Sequence, residues 1–169
     1  VSSALEAGIV PRCHFEDITR ADFYGFVLPF ANKLMELSRQ AKMPVKVRMC
    51  DTLGLGVSIP GVALPRSVPQ IIYGLINYGE VPSEYLEWHG HNDFYQSVTN
   101  STTAWLYGSS AVNTSLLGIG ERTGNTPLEA MVIEYVQLTG DDGGMNLKVI
   151  TEIAEYFEND LNYEVPPRT

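Results

Sequence analysis

Short β-type runs of apolar residues alternate along the chain with longer runs at helical spacing. Residues 10–16 (VPRCHFE), 45–51 (VKVRMCD), 85–91 (YLEWHGH) and 111–117 (AVNTSLL) read as four strands. After the first, Phe23, Phe26, Val27, Phe30, Leu34 and Leu37 recur at helical spacing between Asp22 and Gln40. Pro29 predicts a kink or two shorter helices there. A Gly/Pro-rich loop, Gly54 to Pro69, leads to a helix carrying Ile71, Ile72, Leu75 and Ile76 that stops near Gly79. A third helix is predicted from about Phe94 to Tyr107, closed by Gly108. Thr126-Pro127-Leu128-Glu129 opens the fourth as a capping box with Pro at the first helical position, and it runs to Gly140. Beyond Asp141-Asp142-Gly143-Gly144, Leu147, Ile150, Ile153, Ala154, Phe157 and Leu161 mark a last amphipathic helix, which Pro166-Pro167 ends. Trp88, Trp105 and the aromatic set Phe23, Phe26 and Phe30 are expected between strands and helices.

Four strand–helix units in series imply an α/β fold with a parallel sheet. A complete (β/α)8 barrel takes ~250 residues, so four units are about half of one. The expected division is a half barrel over 1–144 and the start of a helical subdomain over 145–169.

The chain of 169 residues carries 11 Lys and Arg against 20 Asp and Glu, a net charge of −9. That balance argues against nucleic acid or an anionic membrane as partner. It leaves open a small anionic substrate held by local groups. Cys13 and Cys50 are the only cysteines, which rules out a disulfide scaffold and points to a reducing, cytoplasmic setting. No apolar run reaches 18 residues. The first residue is Val, and a piece of a longer chain is expected.

Candidate chemistry gathers at the predicted strand ends. In His89-Gly90-His91-Asn92-Asp93, residues two apart on a strand point the same way. Two imidazoles then address one point, as a divalent metal requires; the bland reading is a hydrogen-bonded core pair. Gly118-Ile119-Gly120-Glu121-Arg122-Thr123-Gly124-Asn125 precedes a helix and offers backbone N–H groups to an anion, though many strand–helix loops are rich in glycine. Asp51-Thr52-Leu53-Gly54 is either a substrate-carboxylate site or a turn that ends the strand. Glu16-Asp17-Ile18-Thr19-Arg20 offers a general base or a helix-entry region with a surface ion pair.

The order of these four motifs, each closing a strand, resembles the isopropylmalate synthase / homocitrate synthase family, within the metal-dependent Claisen-condensing TIM-barrel superfamily. The resemblance implies that the chain carries strands 5 to 8 of a (β/α)8 barrel plus one C-terminal helix. It implies a reaction in which a 2-oxo acid chelates a divalent metal ion (Mg, Mn or Zn) and a base removes a proton from the methyl group of acetyl-CoA. The enolate attacks the ketone, and thioester hydrolysis drives the condensation. On this resemblance His89, His91 and Asn125 hold the metal, Glu16 is the strand-5 acid, and Arg12, His14 and Thr52 bind substrate. Gly120, Glu121 and Arg122 form the acyl-CoA loop. The family's Arg-Asp-Gly motif of the first strand and its later catalytic His and Tyr are absent from this stretch. The N-terminal half of the barrel, and a homodimer in the longer protein, are therefore expected partners, and the 169 residues alone are expected to be inactive. His14 replaces the usual serine. The loop Gly56–Pro69 resembles that of the Re-type citrate synthase branch. An aldolase or lyase of the same superfamily is the alternative enzyme, although the thiol such lyases carry after strand 8 is replaced here by Glu121-Arg122. A non-catalytic half barrel that docks on a partner is the alternative from another class.

If Glu16, Thr52 and His89 face the site, alternation turns Arg12, His14, Lys46, Arg48, Cys50 and Glu87 inward as well. Buried charges must pair, so Glu87 is expected to pair with Arg48 on the neighbouring strand.

Overall fold

The computed structural model describes residues 1–166; Pro167, and with it the second half of the expected Pro-Pro stop, lies outside the described residues. Four strands form one sheet: β1 (Arg12–Phe15), β2 (Lys46–Asp51), β3 (Leu86–Gly90) and β4 (Ala111–Asn113). They are parallel and adjacent in chain order. A short helix α1 (Ser2–Glu6), which the hydrophobic pattern did not announce, precedes the sheet. The strands are joined through α2 (Leu28–Ala41), α3 (Val68–Asn77) and α4 (Ser97–Tyr107), with α5 (Leu128–Thr139) and α6 (Val149–Asn159) following.

Alternation sorts each strand onto two faces. Val47, Met49, Leu86 and Trp88 are buried in the main core with Val27, Leu34, Ile71, Ile72 and Leu75 of the helical layer. The opposite face carries Arg12, Lys46, Arg48 and Glu87. Glu87 lies opposite Arg48 in register. Arg48 Nη2 is 2.5 Å from Glu87 Oε1, as the alternation argument required, and Arg12 Nε is 2.9 Å from Glu87 Oε2.

Several expectations are corrected. The fourth strand ends at Asn113 rather than at residue 117, because the chain bends into a 3-10 turn at Leu116–Gly118 with Leu117 at φ 54°. The third of the predicted helices starts at Ser97, not Phe94, because Tyr95 sits in the left-handed region at φ 58°. The Thr126–Glu129 capping box does not form. Pro127 is itself the N-cap of α5 and α5 begins at Leu128. Thr126 Oγ1 is 3.0 Å from Ser101 Oγ, and Glu129 instead accepts from Leu117 N at 3.1 Å. The last helix is two residues shorter at each end than predicted.

The break expected near Pro29 is a π-turn over Phe23–Val27, capped by Asp22 Oδ1 accepting from Gly25 N at 2.9 Å. The wider turn shifts the helical face. Phe23 is buried, but Phe26 and Phe30 stand exposed and stack on each other, with centroids 5.6 Å apart. Only Phe23 and Trp88 of the expected aromatic core are buried; Trp105 is half-buried.

Candidate active site

The four sequence motifs meet at the carboxyl ends of the strands. His89, the second-last residue of β3, places Nδ1 2.7 Å from Asn113 Oδ1 on β4. A carbonyl oxygen only accepts, so Nδ1 carries the proton and a neutral ring leaves the Nε2 lone pair free. That Nε2 lies 3.3 Å from Nε2 of His91. Two nitrogens bound at 2.0–2.1 Å to one tetrahedral ion would be about 3.3 Å apart, so the pair fits a divalent cation. Burial and the neighbouring His89 hold the His91 pKa below its ordinary value, which keeps this ring in the neutral, ligating form. His91 Nδ1 has no hydrogen-bond partner among the described residues.

The loop after β4 folds back onto this pair. Asn125 bridges His91 in an antiparallel backbone contact. Its Nδ2 is buried and unpartnered among the described residues, and its side chain lies over Gly120, where a Cβ would meet Asn125 Oδ1 at 1.7 Å. The predicted supply of free N–H groups is reduced by the loop's own turns: Gly124 N donates to Glu121 O at 2.9 Å and Asn125 N to Gly118 O at 3.0 Å.

Arg122 is engaged across the site. Its guanidinium donates to both Asp93 oxygens at 2.7 and 3.0 Å and to Thr52 O at 2.6 Å. It therefore clasps the loops after β2, β3 and β4 together. The Asp93 carboxyl is held below its usual range by that Arg122 hydrogen bond. Asp93 closes the His89 motif, and its partner Arg122 lies 29 residues away, out of reach of any local pattern. Glu121 is exposed, with Arg122 Nη1 3.4 Å away.

At the other side of the site, Thr52 Oγ1 accepts from Asp17 N at 2.8 Å and donates to Glu16 Oε2 at 3.1 Å. His14 Nδ1 is 3.7 Å from Glu16 Oε1. Glu16 and His14 are both exposed. Burial, with Glu16 beside it, pushes the Cys50 thiol up to about 12. Below it Asp51 is buried and accepts from Thr19 Oγ1, Leu55 N and Gly56 N at 2.7 to 2.9 Å. Asp51 thereby braces the β2 exit against the β1 turn.

A family model described as HMGL-like matches residues 1–157. The chain belongs to the HMGL-like family. This HMGL-like chain is 66% identical over 166 residues to the citrate (Re)-synthase of Clostridium kluyveri, covering 98% of the chain and 37% of that protein. It is 55% identical over 166 residues to the citrate (Re)-synthase of Syntrophus aciditrophicus, covering 98% and 26%. The chain thus spans about a third of the length of these curated relatives. Among solved structures, an HMG-CoA lyase from Acinetobacter baumannii in complex with coenzyme A and 3-methylmalate superposes with a TM-score of 0.72. The match covers 99% of the HMGL-like chain and 53% of the lyase at 17% identity, a likeness of fold. No helix of the described residues is long and apolar enough to cross a membrane.

Proposed function

We propose that this chain is the second half, strands 5 to 8, of the (β/α)8 barrel of a cytoplasmic acetyl-CoA:2-oxo acid condensing enzyme that forms citrate from oxaloacetate. The observation that carries the reading is the convergence of His89 and His91 at 3.3 Å beside Asn125, in a chain 66% identical to a citrate (Re)-synthase. His89, His91 and Asn125 would hold a divalent cation, which when bound polarises the keto group of the oxo acid. Asn113 orients His89 through Nδ1, the supporting contact that ligating histidines need.

The chain's own residues then divide the remaining work. Thr52 binds a carboxylate of the oxo acid by turning its hydroxyl from Glu16 to that group, and Arg12 and His14 line the approach. Glu16 accepts the proton from the acetyl methyl group, the carbanion so formed attacks the ketone carbon, and the oxygen that receives the electron pair takes up a proton. The thioester product is cleaved by water, which releases the thiol of coenzyme A. Gly120 and Glu121 face the acyl-CoA side. Arg122 holds the rim closed instead of touching that substrate. The residues outside this stretch would supply the N-terminal half of the barrel, and the longer protein would act as a homodimer.

The test uses the full-length protein. Thiol release from acetyl-CoA is expected with oxaloacetate above 2-oxoglutarate and 2-oxoisovalerate. His89→Ala and His91→Ala should lose bound metal and activity together while far-ultraviolet circular dichroism stays unchanged. Absence of thiol release with every 2-oxo acid, or cleavage of a 3-hydroxyacyl-CoA in place of condensation, would overturn the proposal.

A further inference from the structure

We propose that His14, Glu16 and Cys50 form a second cation site, selective for thiolate-binding divalent ions such as Zn²⁺ or Co²⁺, beside the His89/His91 pair. Their ligand atoms all lie within 4.8 Å of one another. Among the described residues no other group of three His, Cys, Asp or Glu side chains meets that condition.

Backbone register brings them together. His14 and Glu16 are two apart along β1 and its extension, so they share a face. The pairing of Phe15 with Met49 places Cys50 opposite Glu16. Ligand atoms around one such ion can be at most about 4 Å apart, from bonds of 2.0–2.3 Å. Closing the remaining gap takes a small rotamer change. His14 and Glu16, 42% and 63% exposed at their side chains, are free to make it, while the buried Cys50 stays fixed.

The donor set separates this site from its neighbour. Cys50 on β2 lies opposite His89 on β3 in register, so the two sites sit on neighbouring strands. The histidine pair and Asn125 offer nitrogen and amide oxygen. The trio adds sulfur, and a thiolate favours Zn²⁺ and Co²⁺ over Mg²⁺ and Mn²⁺. On binding, the S–H bond is replaced by a sulfur–metal bond and the proton leaves to solvent. Glu16 then turns from Thr52 to the ion. On the functional reading above, which this consequence rests on, that removes the base, so a thiolate-binding ion here inhibits.

The full-length protein, titrated with Co²⁺ alone, is expected to bind two ions per chain. The ion at the trio brings a near-ultraviolet thiolate-to-cobalt absorption. Cys50→Ser should abolish the absorption and one equivalent, leaving the other. His14→Ala, at an exposed position, should keep the fold and weaken the absorbing equivalent at least tenfold. His89→Ala with His91→Ala should remove the other equivalent and leave the absorption. Mg²⁺ and Mn²⁺ should not displace the absorbing ion. The site is refuted by a folded wild type without the absorption, by its survival in Cys50→Ser, or by its loss in the double histidine variant. If the absorption behaves as expected but no thiol is released from acetyl-CoA, the functional reading fails while the site stands.

Discussion

Glu87 sits between two arginines on the face of the sheet away from the helices. Its side chain is 10% exposed, that of Arg48 15% and that of Arg12 44%. Replacing Glu87 by Gln removes the charge and leaves both guanidiniums without a counter-ion. Arg12 is the more exposed partner in this half of the sheet, so its share is set at that of an exposed pair, about 1 kcal/mol or less. Arg48 is largely buried, and its Nε already lacks a partner among the described residues. Breaking a buried pair from one side costs about 3–5 kcal/mol. We therefore expect Glu87→Gln to cost about 3 kcal/mol, roughly a hundredfold in the folded-to-unfolded ratio. Arg12→Met should cost a third of that or less. Replacing Glu87 and Arg48 together by Met should recover most of the loss, since an apolar pair needs no counter-charge. Urea unfolding of the full-length protein, followed by the fluorescence of the fully buried Trp88, reads the difference. With a slope of about 1–3 kcal/mol per molar, the midpoint should fall by about 1–3 M. A midpoint unchanged by Glu87→Gln, or an Arg12→Met variant that costs as much, would refute the reasoning.

The Arg122 clasp predicts a pH signature. A depressed Asp93 pKa contributes stability that is present above the ordinary value of 3.8 and is lost as pH falls through the folded value. Arg122→Leu should return the Asp93 carboxyl, followed by ¹³C NMR, to the ordinary range; a midpoint that does not rise would remove the clasp. At Gly124, φ is +94° and a Cβ would meet Gly118 O at 2.2 Å. Gly124→Ala should cost about 1–3 kcal/mol and lower metal content by displacing Asn125. Unchanged urea midpoint and metal content together would show that the loop is softer than its geometry indicates.

Much of the site was legible because its residues close strands, where a spacing of two fixes a common face. His89 with His91, Glu16 with His14, and Thr52 with Cys50 all follow from that single regularity. The Glu87–Arg48 pair extends it to neighbouring strands in register. What could not be read depends on long-range choices between equally good local partners. Thr126 had a capping partner three residues on, but its hydroxyl went to Ser101. Arg122 carried the charge expected of an anion site, yet Asp93 and Thr52, 29 and 70 residues away, satisfied it. The π-turn at Phe23–Val27 was signalled only as a break near Pro29, and the rotation of the face that exposed Phe26 has no local marker. The end of β4 at Asn113 is set by Leu117 adopting a positive φ, which nothing about leucine announces.

The strands follow one another across the sheet without a reversal of order. A doubly wound sheet that reverses creates a crevice between two strands and tends to keep its ligand there. This sheet has no such crevice, so every strand delivers its contribution over the same rim on a separate loop. Substrate preference can then diverge one loop at a time. An exchange of His14, exposed near the end of β1, alters the rim without touching the helix-facing layer that holds the fold together.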